Sequence, residues 1–129
     1  MKKTNCLIGA PFSANNMYTP IGKGQLVKSK KYRAWIEKNI PLIKEGLSKA
    51  EKFPITIEIC ILADWRWTQR NDPDNCLKPI IDCLVNSEII PNDNNRFVES
   101  VMCKFLYFPT IGMGAQTRIS YEEPPEVIC

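Results

Sequence analysis

The sequence predicts a single α/β (α+β) domain in which a mixed β-sheet packs against helices, and three observations carry that prediction. Residues 55–61 alternate, with Ile55, Ile57, Ile59 and Ile61 on one side and Thr56, Glu58 and Cys60 on the other, the period of a half-buried strand. Tyr32, Trp35, Ile36 and Ile40 recur at three-and-four spacing with lysines between them, the period of an amphipathic helix. The chain has 129 residues, 44% of them hydrophobic and 24% charged, which suits one core (residues 1–129 as one domain).

In chain order, TNCLIG at residues 4–9 reads as a short strand. GAPFSANNMYTPIGKGQ is rich in Gly, Pro, Asn and Ser and reads as a loop, long enough to suggest a functional or mobile segment. The helix begins near Ser29, and Pro41 is expected to break or kink it near Asn39, with Leu42, Ile43 and Leu47 in a second helical piece. After the strand of PITIEICILADW, Leu77, Ile80, Ile81, Leu84 and Val85 supply the buried stripe of another helix. NSEIIPNDNN is turn-rich, RFVESVMCKFLYF alternates as a strand, and AQTRISYEE is its expected hairpin partner across the loop PTIGMG. The tail, residues 122–129, is expected to be loosely ordered.

No apolar run approaches the roughly 18 residues of a membrane span, and the first apolar stretch is short for a signal peptide, so no membrane partner and a cytoplasmic location are expected. The six cysteines show no C-x-x-C spacing and there is no histidine, which leaves a structural zinc site without its usual spacing and one of its usual ligands; reduced, mostly buried thiols are expected, with a disulfide pair as the minority alternative. Residues 1–50 carry ten Lys and Arg against two Glu, and residues 51–129 carry seven against twelve acids. A basic first part suits a polyanion and an acidic second part suits a cation, although an ordinary solvated helix face gives the same count.

RNDPDNCLKPIID, residues 70–82, concentrates the chemistry. Pro73 pushes Asp72 out of the helical region, so Asp72 and Asp74 are expected to be extended and to share one side, with Asp74 also a candidate helix cap. Two carboxylates about 4 Å apart repel by roughly 4 kcal/mol at an effective dielectric near 20. A proton on one of them offsets that, and so does a shared divalent cation, for which hard oxygen ligands favour Mg²⁺ or Mn²⁺. An EF-hand fails, because Leu77 stands where the turn glycine belongs and Cys83 where the bidentate glutamate belongs. The plainer alternative makes Asp72 a solvated loop residue and Asp74 only a cap. Lys78, four residues after Asp74, is either a surface ion-pair partner or an ammonium beside a phosphodiester.

The run D-P-D-N-C-L-K-P-I-I-D, followed by N-D-N-N-R-F-V, resembles the RusA family of Holliday-junction resolvases. PFSANNMYTP and KSKKYRAW are similar to that family's P-x-S-x-N segment and its basic, aromatic helix, so the resemblance runs from about Pro11 to Phe108. It implies a homodimeric endonuclease, often of phage or prophage origin, that makes paired nicks in four-way DNA junctions with Mg²⁺ or Mn²⁺. It also implies metal binding by Asp72, Asp74 and Asp93, with Lys78 assisting at the phosphate. Asn92 stands where some members carry a second acid, leaving Asp93 as the local third ligand. Lys28, Lys30, Lys31 and Arg33 are the candidate phosphate footprint, and Trp35, Trp65 or Trp67 candidate stacking groups, with core packing favoured for Trp35.

A helix of some 12 residues after Asp74 would carry the chain about 18 Å away, and the connection from Ser87 to Asn95 reaches roughly 30 Å when extended. The expectation is therefore that the chain climbs back and that the next strand runs antiparallel to the one before Trp67. A parallel strand would put Asp93 at the other end and call for a ligand from a second subunit. Two rival functions stand beside the resolvase: a DNA-binding protein without catalysis, and a nuclease acting on other branched DNA.

Overall fold

The structure is a computed structural model that describes residues 2–107 and 115–125. Chain order is β1 (Asn5–Ile8), a 3-10 turn (Ala14–Asn16), β2 (Tyr18–Gly22), β3 (Gln25–Lys28), α1 (Lys30–Gly46), β4 (Ile55–Ala63), α2 (Trp65–Arg70), a second 3-10 turn (Pro73–Cys76), α3 (Leu77–Asn86), β5 (Val98–Tyr107) and β6 (Ala115–Glu122). It is the expected α+β domain: a mixed sheet of order β1-β6-β4-β5, and a separate two-stranded ribbon of β2 and β3.

The alternating isoleucines of β4 form the centre of the core. Ile55, Ile57, Ile59 and Ile61 are buried together with Tyr32, Ile36 and Ile43 of α1 and Ile80, Cys83 and Leu84 of α3. The opposite face of the sheet is open, with Glu58 paired to Lys104 and with Met102 and Leu106 exposed. Hence the helices lie on one side only.

Four expectations are corrected. α1 is one uninterrupted helix through Pro41. Both Pro41 and Glu37, whose carbonyl loses its N–H partner, are exposed, which leaves the vacated acceptor open to solvent, so no break is required. The supposed loop before α1 contains the β2–β3 ribbon, which buries nothing and so left no hydrophobic pattern to read. β6 does not pair with β5 but lies between β1 and β4, antiparallel to both. Its alternate residues Ala115, Thr117, Ile119 and Tyr121 are buried, as an interior strand needs, whereas no residue of β5 is buried and β5 takes the edge. Finally, β5 runs parallel to β4, from Ile55 opposite Val98 to Ala63 opposite Tyr107.

The loop PTIGMG lies outside the described residues, as do residues 126–129 of the tail. The tail's first residues are held: Glu122 closes β6, and the Glu123 carboxylate accepts hydrogen bonds from the backbone N–H groups of Glu51 and Lys52 and pairs with Lys2. Cys6, Cys60, Cys76 and Cys83 are buried free thiols, and Cys103 is a half-buried one. Among the described residues no helix is long and apolar enough to cross a membrane.

Gly46 shows how tightly α1 sits on β1, since a Cβ built there would lie 2.4 Å from Cys6 Cβ and 3.0 Å from its Cα. Replacing a helical Gly by Ala normally stabilises, by about 0.5–1 kcal/mol. Here the overlap reverses the sign: Gly46→Ala should destabilise the domain by about 1–3 kcal/mol in urea unfolding. An unchanged or raised midpoint would show that β1 is free to move away.

Candidate functional site

Parallel strands cannot be joined by a hairpin, so β4 and β5 are linked by a long crossover that contains α2, the second 3-10 turn and α3. Asp72, Asp74, Lys78 and Asp93 all belong to this one connection.

At its start Asp64 caps α2, accepting from the Trp67 N–H at 2.8 Å. Asp72 then adopts the extended conformation Pro73 demands, with φ −105° and ψ 141°. Asp74 differs from expectation. It lies inside the 3-10 turn rather than in extended chain, and α3 begins three residues later with Cys76 at its N-cap, so Asp74 does not cap it. Both aspartates are exposed, while Cys76 beneath them is buried. Burial, helped by the nearby Cys103, Asp74 and Asp72, pushes the Cys76 thiol up to about 12, so it is a neutral anchor for the turn.

Lys78 is the hub of the next shell. Its ammonium pairs with Asp82 at 3.1 Å, one turn along α3, and with Asp93 at 2.6 Å. The other Asp82 oxygen accepts a 2.7 Å hydrogen bond from the Tyr32 hydroxyl of α1. Tyr32 is fully buried, and burial first, then the bond to Asp82, raises its hydroxyl pKa well above the ordinary tyrosine range, so it stays a donor. The Lys28 ammonium lies 5.8 Å from the centre of the Tyr32 ring. A continuous chain therefore runs Lys28, Tyr32, Asp82, Lys78, Asp93.

Asp93 reaches Lys78 although β5 is parallel to β4. α3 has 10 residues, about 15 Å, and the seven residues 87–93 that follow it can span roughly 23 Å when extended, enough to return Asp93 to the start of the helix. The N–H of Asp93 donates to the Asn92 side chain, and Asn94 accepts from the N–H groups of Arg96, Phe97 and Val98, a turn that folds the chain back into β5. Asp72 and Asp74 do not close round Asp93: among the described residues no three carboxylates or thiols gather closely enough to hold a metal ion. In kind the donors suit Mg²⁺ or Mn²⁺, being carboxylates throughout, and Asp72 and Asp74 make no side-chain ion pair among the described residues.

Lys28, Lys30, Lys31 and Arg33 are all exposed around the start of α1, where Ser29 caps the helix by accepting from the Tyr32 N–H at 3.1 Å. Trp35 is half-buried, stacked 6.3 Å from Tyr32, with its indole N–H donating to the Ala10 carbonyl, so it packs rather than reaches out. Trp67 packs edge-on to Phe105. Trp65, 63% exposed beside an exposed Tyr107, is the tryptophan left open to a ligand. Two residues of this network, Asp82 and Tyr32, are not among those the sequence motifs single out. Asp82 stands four residues after Lys78, the spacing of a helical ion pair, whereas the pattern around Tyr32 marks it only as part of an apolar face.

No family model matches the chain, and no curated protein does.

The Lys78–Asp93 bond lowers the Asp93 carboxyl pKa and raises that of the Lys78 ammonium. By linkage the pair contributes above the ordinary carboxylate range, and that contribution is lost as pH falls through the lowered Asp93 titration. At the alkaline end it is lost as pH rises through the raised Lys78 titration. With side chains 50% and 36% exposed, the pair positions Asp93 more than it stabilises the fold. NMR titration of the Asp93 carboxyl carbon should give a depressed midpoint that returns to the ordinary range in Lys78→Met. A midpoint the substitution leaves in place would show that the bond does not hold in solution.

Proposed function

We propose that the chain is a metal-dependent, structure-specific endonuclease that hydrolyses phosphodiesters in branched DNA, with the four-way junction as its substrate and a homodimer as its working form. The observation that carries this reading is the chain of contacts from Lys28 to Asp93, which joins the basic start of α1 to the acidic crossover. The similarity of the DPDNCLKPIID run to junction resolvases supplies the substrate class and the dimer.

Two physical arguments support a polyanion. Lys30, Lys31 and Arg33 occupy the first turn of α1, which has no acidic residue. Cations there oppose the helix macrodipole at about 0.3–1 kcal/mol each, an arrangement that stability alone disfavours. Close by, Lys78 carries positive charge between Asp82 and Asp93, where a phosphate oxygen can compete for it.

In this reading Asp72, Asp74 and Asp93, which stand apart while Asp93 is paired with Lys78, are the residues that would hold Mg²⁺ or Mn²⁺ once Asp93 is released and drawn towards the other two. Such an ion supplies a more acidic attacking water and charge neutralisation at the phosphate. The protein's own part is orientation. Tyr32 fixes Asp82, Asp82 fixes Lys78, and Lys78 in turn passes from Asp93 to the substrate, which frees the Asp93 carboxylate. Lys28, Lys30, Lys31 and Arg33 hold the flanking phosphates without reading sequence. Two sites related by a two-fold axis suit a substrate cut at two symmetric positions.

The test is cleavage of a synthetic four-way junction and of linear duplex of the same sequence, with Mg²⁺, Mn²⁺ or chelator. Paired nicks in the junction are expected with either metal and none with chelator. Asp74→Asn should lower cleavage roughly a hundredfold or more while leaving junction binding intact. Junction binding without nicks under any metal would favour a DNA-binding protein in which the aspartates are structural.

A further inference from the structure

From the geometry of β2 and β3 we infer that this ribbon is a DNA-docking arm whose apolar tip packs against base surfaces at the branch point, an inference that rests on the branched-DNA reading above. Every residue of both strands is exposed. Ile21 is 59% and Leu26 61% exposed, and Tyr18 and Val27 are open as well. A lone two-stranded ribbon in water is marginal at best, and large apolar groups at its end gain nothing until something covers them.

Charge complementarity identifies what covers them. Residues 1–36 contain seven Lys and Arg and no Asp or Glu. Lys23 sits in the turn of the ribbon, between Gly22 and Gly24, whose positive φ values of 151° and 72° allow the reversal. Lys28 sits at its base, opposite Tyr18. The arm is thus positive at both ends and negative nowhere, which suits a phosphate backbone.

Its attachment decides where along DNA it would act. The Ser29 N–H donates to the Met17 carbonyl at 2.9 Å and the Ser29 hydroxyl to the Asn16 carbonyl at 2.8 Å, so the ribbon closes directly onto the N-cap of α1. Lys28 then faces Tyr32, the partner of Asp82. Strands of five and four residues reach about 15 Å from that point, comparable with the width of a duplex groove. Pro20 and Leu26 are opposite one another, and Ile21 is the extra residue of a bulge that turns it out of the ladder. Ile21 and Leu26 thereby form a blunt apolar end flanked by Lys23, the form of a wedge that packs on unstacked bases. A continuous duplex offers no such bases, whereas a branch point does.

The test compares wild type with the Ile21→Ala/Leu26→Ala double variant, using a fluorescent four-way junction and a linear duplex in chelator, with sedimentation of the free proteins alongside. Both side chains lie outside the core, so folding should be retained. The expected result is a roughly tenfold loss of junction affinity, duplex affinity within about twofold and an unchanged sedimenting mass. Lys23→Ala should lower the slope of log affinity against log salt by about one. Equal junction affinity in the double variant, or an unaltered slope for Lys23→Ala, would overturn the arm. A lower sedimenting mass for the double variant would assign the arm to a second copy of the chain instead. A wild-type protein with no preference for the junction would overturn the branched-DNA reading itself.

Discussion

The parallel pairing of β4 with β5 is the constraint on which the rest depends. β4 is buried between β5 and β6, and once β5 runs the same way the chain must travel the length of the sheet before it can re-enter. That return journey is where the fold places Asp72, Asp74, Lys78 and Asp93. α3 supplies the core with Ile80, Cys83 and Leu84, carries Lys78 towards solvent and turns Asp82 towards Tyr32 of α1. The segments just before and just after α3 hold Asp72, Asp74 and Asp93, all of them exposed.

The Lys78 hub follows from this geometry. An ammonium between two carboxylates satisfies both without burying an unpaired charge, and Tyr32 anchors the arrangement to α1. In exchange Asp93 is occupied, while Asp72 and Asp74 make no ion pair among the described residues. A competitor for Lys78, such as a phosphate, would release Asp93. The resting structure and the proposed substrate thus act on the same side chain.

Much of this was legible in the sequence, but unevenly. The isoleucines of β4 and the three-and-four spacing of α1 appeared because each buries one face against the core. Pro73 fixed the extended Asp72 correctly, yet its reach ended there and Asp74 entered a 3-10 turn. The order of strands was hidden, since AQTRISYEE follows β5 in sequence but its buried alternates fit only an interior position. The β2–β3 ribbon was hidden for the opposite reason, having no buried face at all. Asp82 was visible at its helical spacing from Lys78, but its bond to Tyr32, fifty residues away, is a tertiary fact.

The proposed cation site at the crossover aspartates is tested by paramagnetic broadening of amide resonances during Mn²⁺ titration. Early and selective broadening is expected at Asp72, Asp74 and Asn75 and around Asp93, reversed by chelator. Broadening confined to other carboxylates, such as Glu58 and Glu122 on the open face of the sheet, or none before non-specific loss of signal, would contradict it.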